Sequence, residues 1–177
     1  FAWSKRVLGN FFSFVEDTAR DQVPVITIIV LVLISVPPLY LPHYGGIAIN
    51  FSLIGLFYWS VYKPQLIHLF TAFLLGLFYD FLAGVPVGMF ALIFVVSRAL
   101  LGIYCARLGA ANFLSLWLGF FLFVVGTSFT GWLASSLWYG AFLDLVSVLF
   151  HTILTVASFP FATVLLIWIS RKVYQVG

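Results

Sequence analysis

Charged residues are scarce in this sequence of 177 residues. Asp, Glu, Lys and Arg together account for 7% of it, whereas they account for about 25% of a typical soluble domain. Hydrophobic residues account for 64% and aromatic residues for 20%. These proportions exclude a soluble globular domain and a disordered chain. A nucleic-acid-binding protein is excluded as well, because the eight Lys and Arg residues form no long basic run.

Cysteine and catalytic motifs are equally scarce. Cys105 is the one cysteine, so no disulfide can form within the chain, and no group of Cys and His has the spacing of a zinc site. The sequence contains no Gly-x-Ser-x-Gly elbow, no His-Glu-x-x-His motif and no phosphate-binding Gly-Lys-Ser/Thr loop. We therefore expect no catalytic, metal or cofactor site, and a protein that works by binding a solute or other proteins.

The first twenty residues have the pattern of an amphipathic helix. Between Ala2 and Arg20, apolar residues such as Trp3 and Phe11 recur at steps of three and four, and polar residues fill the other side. Such a helix before a long apolar run is typical of one lying among lipid headgroups. We assign residues 1–23 to this interfacial helix, 24–172 to a membrane bundle and 173–177 to a cytoplasmic tail. A flexible N-terminal tail is the alternative.

Six apolar segments follow, and Pro, Gly or basic residues mark most of their ends. A helix needs about 20 apolar residues to cross the hydrocarbon core of a bilayer, and most of the six approach that length. The predicted spans are Val25–Leu41, Ile47–Tyr62, Leu66–Ala83, Gly88–Ala106, Phe113–Ser135 and Leu145–Ser170. No linker between them is long enough to hold a soluble domain.

The basic residues indicate the orientation of the spans, since Lys and Arg are enriched in cytoplasmic loops. The loops after the first, third and fifth spans contain none. The basic residues before the first span or after the second, fourth and sixth are Lys5, Arg6, Arg20, Lys63, Arg107, Arg171 and Lys172. The sequence therefore predicts an all-α integral membrane protein with six transmembrane helices and both termini in the cytoplasm.

The remaining basic residue, Arg98, and the acidic residue Asp80 lie inside predicted spans. Charges within a bilayer are costly, so each is a candidate for function or for helix pairing. Asp80 shares a helix face with Gly76, and Arg98 lies on the next, antiparallel span. We expect Arg98 to extend toward Asp80 and form an ion pair. The alternatives are that each charge meets backbone carbonyls, water or a partner protein, or that Asp80 carries protons.

Polar residues also follow one face of the sixth span. Asp144 and His151 belong to a set spaced three or four residues apart, completed by Ser147, Thr155, Ser158 and Ala162. We expect this face to point into the bundle, where hydroxyl and small residues hold helices together; a proton relay is the alternative. Pro160 should bend the helix because it removes a backbone donor. In the fifth span, small residues between Gly126 and Ala134 predict another close-packing surface.

One part of the sequence is specific enough to resemble a known family. The segment 58–64, YWSVYKP, is followed by the segment 76–92, GLFYDFLAGVPVGMFAL. Together they resemble the rod shape-determining MreD family, in which a Tyr-Trp pair precedes a basic residue and Pro, and a Gly…Asp…Gly-x-Pro-Leu-Gly…Ala-Leu stretch follows. Val87 replaces the usual Leu. The residues that carry the resemblance include Trp59, Gly76, Asp80, Gly84, Pro86 and Gly88.

The resemblance implies a bacterial inner-membrane protein without enzymatic activity. Proteins of this family help to couple MreB filaments to lateral wall synthesis, together with bitopic MreC, the glycosyltransferase RodA and a transpeptidase. We therefore expect a scaffold of the cell-elongation complex that is surrounded by membrane lipid and binds the single transmembrane helix of MreC. Asp80 and Arg98 would hold the third and fourth spans in register, and Gly84, Pro86 and Gly88 would form the turn between them.

Two other functions are compatible with a small six-helix membrane protein. The substrate-binding membrane subunit of an energy-coupling-factor vitamin transporter is of this size. Its coupling surface, however, has an Ala-x-x-x-Ala pattern on the first span, and the segment Val25–Val36 contains no alanine. A membrane enzyme would need a polar pocket that gathers Asp80, Asp144 and His151. Hydrophobicity does not map the partner surface, because apolar helices face lipid and partners alike.

Overall fold

The computed structural model describes residues 21–36, 39–41, 45–47, 49–109, 112–140 and 144–174. Within these ranges the chain forms six α-helices, a 3₁₀ turn and a two-stranded hairpin. The helices are α1 (Asp21–Ser35), α2 (Phe51–Tyr62), α3 (Leu69–Ala83), α4 (Met89–Gly109), α5 (Phe113–Tyr139) and α6 (Leu145–Tyr174). Strand β1 (Leu39–Leu41) pairs antiparallel with β2 (Gly45–Ile47), and the 3₁₀ turn is Pro64–Leu66. The predicted amphipathic helix of residues 2–20 lies outside the described residues.

Helix α2 lies at the centre of the bundle. Every residue from 52 to 61 is buried, which is typical of a helix that is surrounded by protein on all sides. Phe57, in the middle of α2, packs against Phe120 and Phe123 of α5 and Phe159 of α6, with ring centroids 5.2, 5.4 and 5.9 Å away. This aromatic cluster forms the middle of the core and joins α2 to the last two helices.

The predicted helical class is confirmed. Helices α5 and α6, with 27 and 30 residues, are long and apolar enough to cross a membrane. Helices α2 and α3, with 12 and 15 residues, are shorter than the about 20 residues that a full span needs. At 1.5 Å per residue, α2 rises only about 18 Å. The bundle therefore combines two long helices with shorter ones.

The first two predicted spans are longer than the helices that the structure contains. Helix α1 ends at Ser35, because Pro37 disfavours helical backbone at the residue before it, and the chain then enters β1 instead of continuing to Leu41. Ile47, the predicted start of the second span, belongs to β2. Helix α2 begins after Asn50, whose side chain accepts a hydrogen bond from the amide of Leu53 at 3.4 Å.

Other predicted span ends also differ from the helix ends in the structure. Leu66, the predicted start of the third span, closes the 3₁₀ turn, and α3 begins three residues later. The fourth helix continues past the predicted Ala106 to Gly109. Helix α5 extends to Tyr139 and ends at Gly140, whose φ of 62° is a left-handed helix terminus. Helix α6 extends past Ser170 to residue 174, into the segment that was assigned to a tail.

Contacts near the helix ends establish how the first, second and last helices run. The Ser35 hydroxyl, at the end of α1, accepts a hydrogen bond from the amide of Ser52 at 3.1 Å, so α1 and α2 are antiparallel. The amide of Asn50, before α2, donates to the Thr155 hydroxyl of α6 at 3.2 Å. The ammonium group of Lys63, after α2, lies over the ring of Tyr174 at the end of α6. Helices α2 and α6 therefore run parallel.

Candidate functional site

Helices α3 and α4 form a hairpin whose turn contains two glycines with positive φ. Gly84 follows α3 with a φ of 65°, and Gly88 precedes α4 with a φ of 99°; residues with a side chain rarely adopt these conformations. The amide of Met89 donates to the carbonyl of Pro86 at 3.2 Å. The turn thus contains the three residues that the sequence placed there, and it brings the start of α4 beside the end of α3.

Asp80 is 1% exposed and lies where α3 faces the start of α4. Its Oδ2 accepts hydrogen bonds from the amides of Gly88 at 2.8 Å and Ala91 at 3.3 Å, and its Oδ1 accepts one from Phe90 at 2.8 Å. The first amides of a helix have no partner within that helix, and the helix dipole favours a negative charge there. Asp80 therefore caps α4 from the neighbouring helix and ties the two helices together.

Gly76, one turn before Asp80, lies where the backbones of α3 and α4 touch. A Cβ built on Gly76 would lie 2.5 Å from the Cα of Ala91 and 2.6 Å from the carbonyl oxygen of Phe90. Both are backbone atoms, which move only if the helix moves with them. Glycine is therefore required at this position, and Gly76 and Asp80 act on the same turn of α4.

Arg98 binds backbone groups at the other end of the same hairpin. Its Nε donates to the carbonyl of Ile67 at 2.7 Å, and its Nη2 donates to the carbonyl of Pro64 at 2.6 Å. Both carbonyls lie in the connection between α2 and α3, where the chain is not α-helical. The guanidinium group therefore holds this connection against α4.

The predicted ion pair between Asp80 and Arg98 is not formed. Within the described ranges the two side chains have separate partners, backbone amides for the carboxylate and backbone carbonyls for the guanidinium. Ala91, which contacts Asp80, is about 10 Å from Arg98 along α4 at 1.5 Å per residue. Each charge thus has a nearer backbone partner of complementary polarity. For Arg98, the alternative in which backbone carbonyls satisfy the charge is the one observed.

Trp59 is completely buried near the end of α2. Its ring centroid lies 6.3 Å from that of Tyr174, and its Nε1 finds no acceptor in the part of the chain that the structure describes. The Lys63 ammonium lies 4.5 Å from the centre of the Tyr174 ring, and the Lys172 ammonium lies 4.4 Å from that of Trp168. Pairs of Lys with aromatic rings are typical of a membrane interface. The basic ends of α2 and α6 therefore meet at one end of the bundle.

Asp144 is exposed and caps its own helix, α6. Its Oδ2 accepts hydrogen bonds from the hydroxyl of Ser147 at 2.8 Å and from the Ser147 amide at 3.2 Å, and its Oδ1 accepts one from the amide of Val146 at 3.2 Å. These hydrogen bonds, that of the Ser147 hydroxyl first, hold the pKa of the Asp144 carboxyl below its ordinary value. Contrary to the prediction, the polar face of α6 is exposed at this end.

The polar face of α6 becomes buried further along the helix. His151 is half-buried, and Thr155 is buried. The Thr155 hydroxyl donates to the carbonyl of His151 at 2.8 Å and accepts a hydrogen bond from the amide of Asn50 at 3.2 Å. One hydroxyl thus joins α6 to the residue that caps α2, which is a contact between helices.

A contact that the sequence analysis missed joins Trp117 of α5 to α6. Pro160 has no amide hydrogen, so the carbonyl of Val156, four residues earlier, loses its helical partner. The indole Nε1 of Trp117 donates to that carbonyl at 3.4 Å. Beside this contact Phe120 stacks on Phe159, with ring centroids 4.2 Å apart. The available signal was the proline, because a proline inside a helix predicts a free carbonyl that a neighbouring donor can bind.

A groove of about 470 Å³ runs between α4 and α5; we call it the α4–α5 groove. Its α5 side includes Gly126, Thr130 and Ala134, which are spaced four residues apart. Within the described ranges, no atom outside the adjacent backbone of α5 lies within 4 Å of a Cβ built on Gly126, and the Thr130 hydroxyl donates to the Gly126 carbonyl at 2.8 Å. The predicted small-residue surface of the fifth span is therefore divided. Gly131 is buried near Ile93 of α4, whereas Gly126, Thr127, Thr130 and Ala134 line an open, apolar groove.

A second, more open cleft of about 630 Å³ lies beside Arg98. Neither cleft is lined by Asp80, Asp144 or His151. The described residues also contain no group of three or more His, Cys, Asp and Glu side chains that could hold a metal ion. The two clefts therefore differ from the polar pocket that a membrane enzyme would need.

Comparison with known proteins gives one family. No curated protein and no solved structure matches the chain. The family model described as rod shape-determining protein MreD matches residues 18–175, a range that includes all six helices. The match confirms the resemblance carried by the segments 58–64 and 76–92. The chain therefore belongs to the MreD family, membrane-associated proteins that take part in determining rod shape.

Proposed function

We propose that this protein is a non-enzymatic scaffold of the bacterial cell-elongation complex and that it binds the single transmembrane helix of MreC. Through MreC it would join RodA, a transpeptidase and MreB in coupling filaments to peptidoglycan synthesis. Family membership supports the role in cell shape. The α4–α5 groove supports the binding of a transmembrane helix.

In this proposal the chain crosses the bacterial inner membrane six times, with both termini in the cytoplasm. The basic residues support that orientation, because Lys63 and Lys172 lie at one end of the bundle and Arg98 holds the connection that follows Lys63. The turn at Gly84 and Gly88 would face the other side. Arg98 would also satisfy carbonyls of the α2–α3 connection, and non-helical backbone near the hydrocarbon needs such partners.

The α4–α5 groove carries the proposal because its length and surface fit a helix. Its lining on α4, from Met89 to Leu100, rises about 16 Å, and its lining on α5, from Leu122 to Trp138, rises about 24 Å. These lengths cover between half and most of a hydrocarbon core of about 30 Å. In a bilayer, helices associate where small residues let their backbones approach, as Gly126, Thr130 and Ala134 would allow. A flexible acyl chain has no need of such a surface.

Cysteine crosslinking tests where MreC binds. In a Cys105→Ser background, one cysteine replaces Ala134 in the groove, and a second variant replaces Phe161, which is 81% exposed on α6 outside the groove. Each of these two variants is produced in membranes together with MreC variants that carry one cysteine at successive positions of their transmembrane helix. We expect Ala134→Cys to crosslink at MreC positions that recur every three or four residues, and Phe161→Cys to crosslink weakly or not at all. Equal crosslinking from both positions would contradict the proposed site.

A further inference from the structure

The cleft beside Arg98 is lined by both polar and apolar residues. It lies where the α2–α3 connection meets α4, and its lining includes Gln65, His68, Leu69 and Ala99 as well as Arg98. Gln65 and His68 are exposed, so both are open to ligands from outside the bundle. The α4–α5 groove is lined by other residues of α4, such as Ser97 and Leu100. The two clefts therefore lie on different faces of α4.

Arg98 gives this cleft a positive charge that its hydrogen bonds do not neutralise. A guanidinium group has five N–H donors, and the structure assigns one at Nε and one at Nη2 to neutral carbonyl groups. Nη1 lies on the side of Gly102, where a built Cβ would be 2.9 Å away. Among the described carboxylates, Asp80 and Asp144 cap helices elsewhere, and Asp21 lies near Tyr174. Within the described ranges none of the three forms an ion pair with Arg98. A cation beside hydrocarbon without a counter-ion is costly, so the site favours an anion.

The surroundings of the cleft suit an amphiphile more than a free ion. Leu69, which lines the cleft, and its neighbour Phe70 are 51% and 70% exposed, and Ile103, one turn of α4 after Ala99 of the cleft, is 72% exposed. These side chains provide exposed apolar surface on both helices that border the cleft. The Lys–aromatic pairs at the same end of the bundle mark the depth of lipid headgroups.

We propose that the Arg98 cleft binds the phosphate of an anionic phospholipid, with the acyl chains lying against the exposed apolar faces of α3 and α4. The planar guanidinium donates paired hydrogen bonds to phosphate oxygens, and basic pockets between membrane helices are suited to anionic headgroups. The start of α3 adds positive potential, because the His68 side chain makes no capping hydrogen bond there. This inference does not depend on where MreC binds.

Added negative charge tests the site without removing Arg98 from its carbonyl partners. Gln65→Glu places a carboxylate in the cleft, and Gln22→Glu makes the same change at an exposed position of α1. Binding of phosphatidylglycerol, phosphatidylcholine and inorganic phosphate to the purified full chain in detergent is measured by native mass spectrometry. Thermal unfolding of each variant verifies that it is folded. Should Gln65→Glu fail to fold, His68→Glu places the same charge in the cleft.

We expect the wild type to prefer phosphatidylglycerol to phosphatidylcholine. Gln65→Glu should weaken phosphatidylglycerol binding about tenfold, the equivalent of one charge-assisted contact, and Gln22→Glu should leave it unchanged. Equal weakening of phosphatidylglycerol binding by both variants would contradict the proposed site, because it would indicate only a general repulsion between the added negative charge and the lipid. Equal binding of the two lipids would contradict the preference for an anionic headgroup. Displacement of phosphatidylglycerol by an equal concentration of inorganic phosphate would contradict a lipid ligand and would assign the site to a free anion.

Discussion

The α3–α4 pair and the α5–α6 pair both consist of helices that are consecutive in the chain, but different contacts hold them together. In α3–α4, the Asp80 carboxylate binds three amides of the α4 start, and Gly76 lets the two backbones touch. In α5–α6, the contacts are made by side chains, with Trp117 donating to a free carbonyl and Phe120 stacking on its neighbour. Much of α5 is exposed.

This difference indicates which pair is rigid and which is free to bind a partner. Hydrogen bonds that backbone amides donate to a carboxylate are directional, so they fix the register of α3 against α4. Apolar contacts are less specific in a bilayer, because lipid tails are as apolar as the side chains they replace. We therefore infer that α3–α4 is the fixed element and that α5 provides the surface for another helix.

The largest effect should come from a side chain at the backbone contact. Gly76→Val should lower the free energy of unfolding by about 3 kcal/mol, because its Cβ would collide with backbone atoms of α4. Gly126→Val is the matched control, since its Cβ has open space around it. We expect Gly126→Val to remain folded. When it is combined with Ala134→Cys, we expect the crosslink to MreC to be lost. Unfolding in detergent measures the first effect, and equal loss of stability in both variants would contradict the comparison.

The next largest effect should come from Asp80→Asn. The amide NH₂ would face backbone N–H groups that now donate to a carboxylate oxygen, and a buried donor left without a partner costs about 1–3 kcal/mol. Asp144→Asn is the control, because Asn is as good an N-terminal cap as Asp and the site is exposed. Thermal unfolding should separate the two variants clearly. If they are equally stable, Asp80 does not lock the hairpin.

A smaller effect should follow the loss of the contact between α5 and α6. Trp117→Phe removes the donor to the Val156 carbonyl and should cost about 1 kcal/mol. Trp168→Phe serves as a control, because Trp168 is 56% exposed and makes its described contact with Lys172. Unfolding of the two variants under the same conditions measures the difference. A loss from Trp168→Phe as large as that from Trp117→Phe would contradict a specific stabilising role of the hydrogen bond between Trp117 and Val156.

The smallest effect should be the pH dependence of the α6 cap. Hydrogen bonds lower the pKa of Asp144 in the folded protein, so the unfolded chain takes up the proton first as the pH falls. The stabilisation is complete above the ordinary value of 3.8 and is lost as the pH falls through the lower, folded value. The small difference in unfolding temperature between wild type and Asp144→Asn should therefore disappear in acid. A difference in unfolding temperature that grows as the pH falls would contradict a lowered pKa of Asp144 in the folded protein.

Local features of the candidate site could be predicted from the sequence, and distant ones could not. The turn at Gly84 and Gly88 was predictable, because glycine, proline and short spacing act within a few residues. The end of α1 was misplaced, although Pro37 provided the signal for it. The partners of Asp80 and Arg98 were not predictable. Several backbone groups compete for each charge, and only the packed hairpin establishes which of them is nearest.

The sequence alone predicted a helical, membrane-associated protein, because few charges and long apolar segments are unfavourable in water. It also determined the position of the α3–α4 turn. The tertiary structure decided that Asp80 caps α4, that Trp117 binds the carbonyl freed by Pro160, and that Gly126 stays open while Gly131 is buried. These outcomes depend on the rotation and register of each helix against its neighbours, and those are set by packing across the whole bundle.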